Sequence, residues 1–277
     1  MKTYKKYRHI NNIPANDKNI TTTIDINAIR YNINFLHKKT GTDIMPVLKG
    51  DAYGHGMIKI SKILRDFGIK YIAVATLGEA ILLRKSGDKG RILAWLYNIN
   101  GYELIDAFHL DIDIAIFDEN TLTQFIELIP KNKVINITVF VDTGINRAGV
   151  RYSNAFNTCK IVNDCYKMKL VGIMSHLSCS HNKNCSNVHE QLSKFRILRN
   201  QLKQINIDPP LVHIANTGGC INYDVSDFTI SRVGSGIFGI TYNKYLHPVM
   251  SLYTSIIQIK EIDKGEGIGY DSIYFST

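Results

Sequence analysis

From residue 44 onward, short apolar runs alternate with longer segments of helical period, the pattern that parallel strands joined by crossover helices impose on a chain. The first cycle shows the logic. Ile44 to Leu48 is a buried strand, then Met57, Ile60, Ile63, Leu64 and Phe67 recur at helical spacing, and Gly68 supplies a left-handed stop. The second cycle repeats it with a strand over Tyr71 to Ala75, a helix over Leu77 to Lys85 and a stop at Gly87. Further strands are expected at Arg91 to Leu96, Ile112 to Phe117, Val134 to Val141, Leu170 to Met174, Leu211 to Ala215 and Thr229 to Val233, which brings the count to eight. An α/β chain of the (β/α)8 TIM-like barrel type is the expectation, with a doubly wound open sheet as the alternative.

Beyond residue 247 the helical segments cease. Ile257 and Ile259 alternate with Gln258 and Lys260, and Lys264 to Gly267 marks a turn. The expected organisation is a polar leader over 1–20, a barrel over 21–246 and the beginning of a β-rich domain over 247–277, with too few strands to close a sheet of its own.

Charge and cysteines narrow the function classes. The formal charge is +9, but the 33 Lys and Arg residues are scattered, and the longest basic cluster, Lys5 to Arg8, lies in the leader. Scattered charge provides no continuous basic face for phosphates, so no nucleic-acid role is expected. No run approaches the roughly 18 apolar residues of a membrane span, the N-terminus lacks the apolar stretch of a signal peptide, and a cytoplasmic location is expected. The 5 cysteines are odd in number and confined to the second half, so reduced thiols are the default. A zinc module is an alternative for Cys179, His181, Cys185 and His189, although their spacing matches no common zinc pattern and no metal site is expected.

In a barrel the reactive side chains collect at the carboxyl ends of the strands. Lys49 follows the first strand, Arg147 the fifth and His176 the sixth; Asn216 and Thr217 follow the seventh, and Arg232 with Gly234 ends the eighth. A lysine leaving an apolar strand is expected to be partly desolvated, which frees its amine for imine formation; the plainer reading is a surface lysine at the barrel mouth. Tyr53 offers a hydroxyl beside it. Gly234, Gly236 and Gly239 form a G-x-G-x-x-G run, weak by itself, but a phosphate site after the last strand recurs in barrels of this type. Backbone N–H groups of Gly234, Ser235 and the Asn216-Thr217 turn are the expected donors.

In order and spacing, VLKGDAYGHG, VDTGINRAGV, the histidine of GIMSHLS, HIANTGG and SRVGSGIFG resemble the motifs of alanine racemases, from about Thr22 to the end of the chain. The resemblance implies that Lys49 carries pyridoxal 5'-phosphate as an internal aldimine, that Tyr53, Thr217 and Gly234 hold its phosphate, and that His176, Arg147 and Arg232 surround the ring, with Arg147 binding the substrate carboxylate. Arg232 facing the pyridine nitrogen would keep it unprotonated. Tyr270 in GEGIGYDSIY matches the second base of the family, delivered to the partner's barrel across a head-to-tail homodimer. The implied reaction interconverts L- and D-alanine, which supplies D-alanine for peptidoglycan; a racemase for another amino acid such as serine is an alternative, as is a non-catalytic pyridoxal-phosphate-binding protein of vitamin homeostasis.

Two departures stand out. Many family members carry a carbon-dioxide-modified lysine two residues before the aspartate of the DTG motif, where this chain has Phe140. Family members also continue beyond this point, so the expectation is a folded barrel with weak or no racemase activity.

Overall fold

The computed structural model describes residues 20–241 and 243–277. The leader and its Lys5 to Arg8 cluster lie outside them, apart from Ile20. The chain divides into two compact units, Ile24–Val249 and, among the described residues, Ile20–Thr23 with Met250–Thr277.

The larger unit is built on eight strands: β1 (Asp43–Pro46), β2 (Tyr71–Thr76), β3 (Arg91–Leu96), β4 (Asp113–Ile116), β5 (Ile135–Asp142), β6 (Met168–Met174), β7 (Leu211–His213) and β8 (Ile230–Val233). Each falls on an expected run. Parallel ladders join β2 through β7 in sequence order, and β8 pairs in parallel with β1. The ring closes at two further seams. Val47 bridges Ala73, and Thr229 N–H and Arg232 N–H donate to the carbonyls of Val212 and Ala215, at 3.0 Å each. This is a (β/α)8 barrel.

Strand periodicity sorts the apolar side chains into two layers. Met45, Val47, Ala73, Leu93, Ala115, Phe140, Met174, Leu211 and Ile230 fill the barrel interior. Their neighbours Ile44, Ile72, Val74, Ile92, Ile114, Val139, Ile173 and Val212 face outward onto helices. Those helices are α1 (Ile26–Thr40), α2 (Met57–Asp66), α3 (Leu77–Lys85), α4 (Tyr102–His109), α5 (Leu122–Leu128), α6 (Tyr152–Asp164), α7 (Ser186–Gln204) and α8 (Thr217–Asn222). Gly68 and Gly87 adopt φ of +83° and +97°, as their place after α2 and α3 requires. Fully buried Asn32 of α1 donates to Ile237 O and His247 O and accepts from His247 N–H, which ties this helix to the segment after β8.

The smaller unit contains no α-helix among the described residues. Ile20–Ile24 pairs with Met250–Thr254, and Gly267–Ile268 pairs with Tyr274–Phe275 around a short 3-10 turn, Tyr270–Ser272. The alternation at Ile257 and Ile259 does not form a strand. Both isoleucines are exposed, above 80%, so no buried face selects one side of the alternation. No described helix is long and apolar enough to cross a membrane.

Candidate active site

The seams of the barrel hold the chain straight as far as the residue before Lys49: Val47 N–H donates to Val233 O and Leu48 N–H to Ala73 O, both at 2.8 Å. Past this point the backbone reverses. Gly50, Asp51, Ala52 and Tyr53 take φ of 61°, 51°, 57° and 54°, one left-handed turn. Side chains with a Cβ resist this conformation by about 1–2 kcal/mol each, so the surroundings must impose it. Glu79 Oε1 accepts from Gly50 N–H at 2.7 Å, Asp51 Oδ1 accepts from Met57 N–H at 2.6 Å, and the methyl of Ala52 is fully buried.

The turn aims the Tyr53 ring at the loop after β8. Its hydroxyl accepts from the Ser235 backbone N–H, and its ring lies 5.7 Å from that of Phe238. Burial raises the Tyr53 pKa, and the Ser235 hydrogen bond opposes the rise. A Cβ at Gly234 would run into the Tyr53 hydroxyl, so the close approach requires glycine. Thr217, buried, accepts from Gly236 N–H at 3.1 Å and from Ser235 Oγ at 3.3 Å. Asn216 accepts from Gly219 N–H at 3.0 Å and from Ser180 Oγ at 2.6 Å, and its Nδ2 lies 3.5 Å from His176 Nε2.

Behind this cradle sits the Arg232 guanidinium, 5% exposed. Nη2 donates to Ser175 O at 2.7 Å and lies 3.3 Å from His176 Nδ1; Nη1 lies 2.6 Å from His213 Nδ1 and donates to His213 O at 3.2 Å. Burial, then the charge of Arg147, brings its pKa down to about 10. Burial first, then Arg232, Arg147 and Lys49, push His176 down to about 3, so this imidazole is neutral at neutral pH. His213 is fully buried and likewise held well below its ordinary value, by burial and by Arg232. A neutral ring that accepts from Arg232 at Nδ1 carries its hydrogen on Nε2, which has no hydrogen-bond partner among the described residues.

Of these groups, Lys49, Tyr53, His176, Ser180, Asn216, Thr217, Arg232, Gly234 and Ser235 line one cavity of about 1340 Å³ at the carboxyl ends of the strands. Lys38, Lys39, Lys49, Lys183, Lys244, Arg147 and Arg232 line it, and among the described residues no Asp or Glu does. A cavity with seven cationic side chains and no carboxylate selects anions, and a ligand with two separate anionic ends fits best. Lys49 lines the cavity and is exposed, not desolvated as its position after an apolar strand suggests; its Nζ stands 5.8 Å from the Tyr53 ring centroid. Arg147 is exposed and forms no ion pair among the described residues, while Phe140, 3% exposed, fills the interior wall.

Eight expected site residues, Lys49, Tyr53, Arg147, His176, Asn216, Thr217, Arg232 and Ser235, thus line one cavity together with Gly234. Tyr270 belongs to the smaller unit, where it is 97% exposed. Sequence reasoning passed over Glu79, Ser180 and His213. His213 had a signal, its place at a strand end three residues before Asn216 of the cradle; the contacts of Glu79 and Ser180 with the site run across the fold and had none. The expectation of reduced thiols is corrected, since Cys179 and Cys185 form a disulfide. The two cysteines are six positions apart on one loop. Their pairing removes both thiolates from the zinc reading, and no group of three or more metal-ligating side chains occurs among the described residues.

Residues 24–242 match the family model described as alanine racemase, N-terminal domain. The alanine racemase of Borreliella burgdorferi (strain ZS7) is 32% identical over 267 residues, covering 92% of this chain and 71% of the relative. The crystal structure of alanine racemase from D-cycloserine producing Streptomyces lavendulae superposes with a TM-score of 0.85 at 26% identity, covering 93% of this chain and 70% of that one. That of the Bacillus anthracis enzyme with bound L-Ala-P gives 0.78 at 25% identity, covering 94% and 70%. A matching model over most of the chain, the shared barrel and the site at its carboxyl end agree: the chain belongs to the alanine racemase family of isomerases.

Proposed function

We propose that this chain binds pyridoxal phosphate and interconverts L- and D-alanine in the cytoplasm, which supplies D-alanine for peptidoglycan. The observation that carries the reading is the cavity itself, seven cations without a carboxylate around a single lysine at a strand end. The donor set fits the group: Gly234 leaves room for the Tyr53 hydroxyl, and Thr217, Ser235 and Tyr53 converge as neutral hydrogen-bonding groups on one end of the cavity. In our reading residues 21–246 form the cofactor domain and 247–277 belong to a β-rich second domain.

When bound, pyridoxal phosphate supplies an electron sink that acidifies the Cα–H of an amino acid. The chain then has to bind the substrate carboxylate and move a proton on each face. Arg147, cationic, exposed to the cavity and without an internal anion, is the carboxylate partner. Lys49 Nζ moves the proton on one face. Tyr270 from a second copy of the chain moves it on the other. Arg232 presents a fixed positive charge, held on both Nη atoms. His176, neutral beside it, adds no further charge.

The first test is to add pyridoxal phosphate, record the visible imine band, reduce with borohydride and map the modified lysine by mass spectrometry. An adduct on Lys49 alone is expected. No band, or adducts scattered over surface lysines, refutes the cofactor reading and leaves family membership without cofactor chemistry.

A further inference from the structure

The loop between Cys179 and Cys185 is docked on the cradle. Ser180, 4% exposed, donates from Oγ to Asn216 Oδ1 at 2.6 Å. Asn222 Nδ2 donates to the carbonyls of Ser180 and His181 at 2.8 and 3.2 Å. The Tyr223 hydroxyl donates to Asn182 O and accepts from Cys185 N–H at 3.1 Å. A Cβ at Gly218 would lie 2.8 Å from the Ser180 carbonyl carbon and oxygen, so loop and α8 pack backbone to backbone.

The five residues between the cysteines, Ser180, His181, Asn182, Lys183 and Asn184, include no apolar side chain, and the last four are exposed. Apart from the two cysteines, which pack against the core, only hydrogen bonds and the disulfide oppose the conformational entropy of this loop among the described residues. Both cysteines are partly exposed and within reach of a small thiol. Of the free cysteines, Cys159 and Cys220 are buried, their thiols pushed up by burial to about 12 and about 11, and do not compete in exchange; Cys165 is partly exposed and lies on the chain after α6, outside this loop.

We propose that Cys179–Cys185 is a reversible thiol–disulfide modification site, a clasp that holds the loop on Asn216 and α8 and thereby sets the affinity of the cavity for pyridoxal phosphate. The proposal rests on the cofactor reading above. The co-reactant is a dithiol. One of its thiolates attacks a cysteine sulfur and breaks the S–S bond, which forms a mixed disulfide and releases the other cysteine as a thiolate; its second thiolate then attacks the dithiol's own sulfur in the mixed disulfide and displaces the cysteine bound there. Two cysteine thiols and a cyclic disulfide result, with two electrons and two protons passed to the protein. In a reducing compartment such a pair is an exchangeable regulator. Freed, the loop withdraws Ser180 from Asn216, and the Asn216-Thr217 turn loses its outer support.

The test uses the full chain in two states, oxidised and reduced by a dithiol that is then removed under argon, with Cys179→Ser/Cys185→Ser as a permanently open form. The single tryptophan, Trp95, lines the cavity and reports binding through quenching by pyridoxal phosphate. Reduction and the double substitution should each weaken binding by roughly tenfold, and the double variant should ignore the dithiol. Hydrogen exchange without cofactor is the second readout: the amides of Gly219, Cys220 and Tyr223, bonded to Asn216 and Gly219, should exchange faster once the clasp opens. Equal affinities in the oxidised and reduced chain overturn the proposal and leave the cofactor reading intact. If neither form binds, the cofactor reading fails and exchange alone decides the clasp, faster exchange supporting it and unchanged exchange overturning it.

Discussion

His176 illustrates how one residue's chemistry depends on its neighbours. An imidazole ordinarily titrates near neutrality, but burial and the charges of Arg232, Arg147 and Lys49 bring this one to about 3. Between about 6.5 and about 3 the unfolded chain therefore holds a proton that the folded chain refuses. Stability has its full value above 6.5, falls as pH drops through that window, and stops falling from this source below about 3. Thermal and urea unfolding of wild type against His176→Asn checks it: the wild type should lose up to about 2 kcal/mol more than the variant on going from neutral pH to about pH 5. Equal slopes would refute the neutral buried imidazole. That a histidine ends β6 was legible in the motif GIMSHLS. Its neutrality was not, because burial in the folded barrel enforces it first, and then the charges of Arg232, Arg147 and Lys49, which are far away in sequence.

Glu79 links two elements and shows what local signals leave out. Thr76 and Glu79 form a capping box at the start of α3, a pairing readable from the T-x-x-E spacing. The same carboxylate also accepts from Ala75 N–H at 2.9 Å and from Gly50 N–H, 29 positions away, next to Lys49. Glu79→Ala should cost about 1–2 kcal/mol and also slow imine formation at Lys49, since the left-handed turn loses an anchor. Thr76→Ala should cost about 1 kcal/mol and leave the lysine unaffected. Denaturant titration together with the growth of the imine band separates the two, and equal behaviour of the lysine in both variants would deny Glu79 its second role. A tight turn near Lys49 was legible only through Gly54 and Gly56 of AYGHG; the left-handed φ of Asp51, Ala52 and Tyr53 is a tertiary effect. The isoleucine alternation at 257–259 misled for the converse reason, a local pattern without a buried face to satisfy.

At the scale of the whole molecule, a second proton carrier on Tyr270 from a partner makes a quantitative demand. Lys49→Ala and Tyr270→Phe chains, each inactive alone, should regain about a quarter of the wild-type racemase rate when mixed and refolded: half the dimers are mixed, and one of the two sites in each is intact. D-alanine formation by the mixture is the measurement, and no recovery would rule out action in trans. The sequence by itself determined the eight strands, their helices and the line of reactive residues at the strand ends, because apolar periodicity and strand-end placement are local records of a repeating fold. Only the tertiary structure decided that seven cations share a cavity without a carboxylate, that Lys49 is exposed rather than desolvated, that Glu79 and Ser180 support the site, and that Cys179 meets Cys185. Charge, burial and hydrogen bonding depend on distances through space, and closing a barrel brings together residues that the chain order keeps far apart.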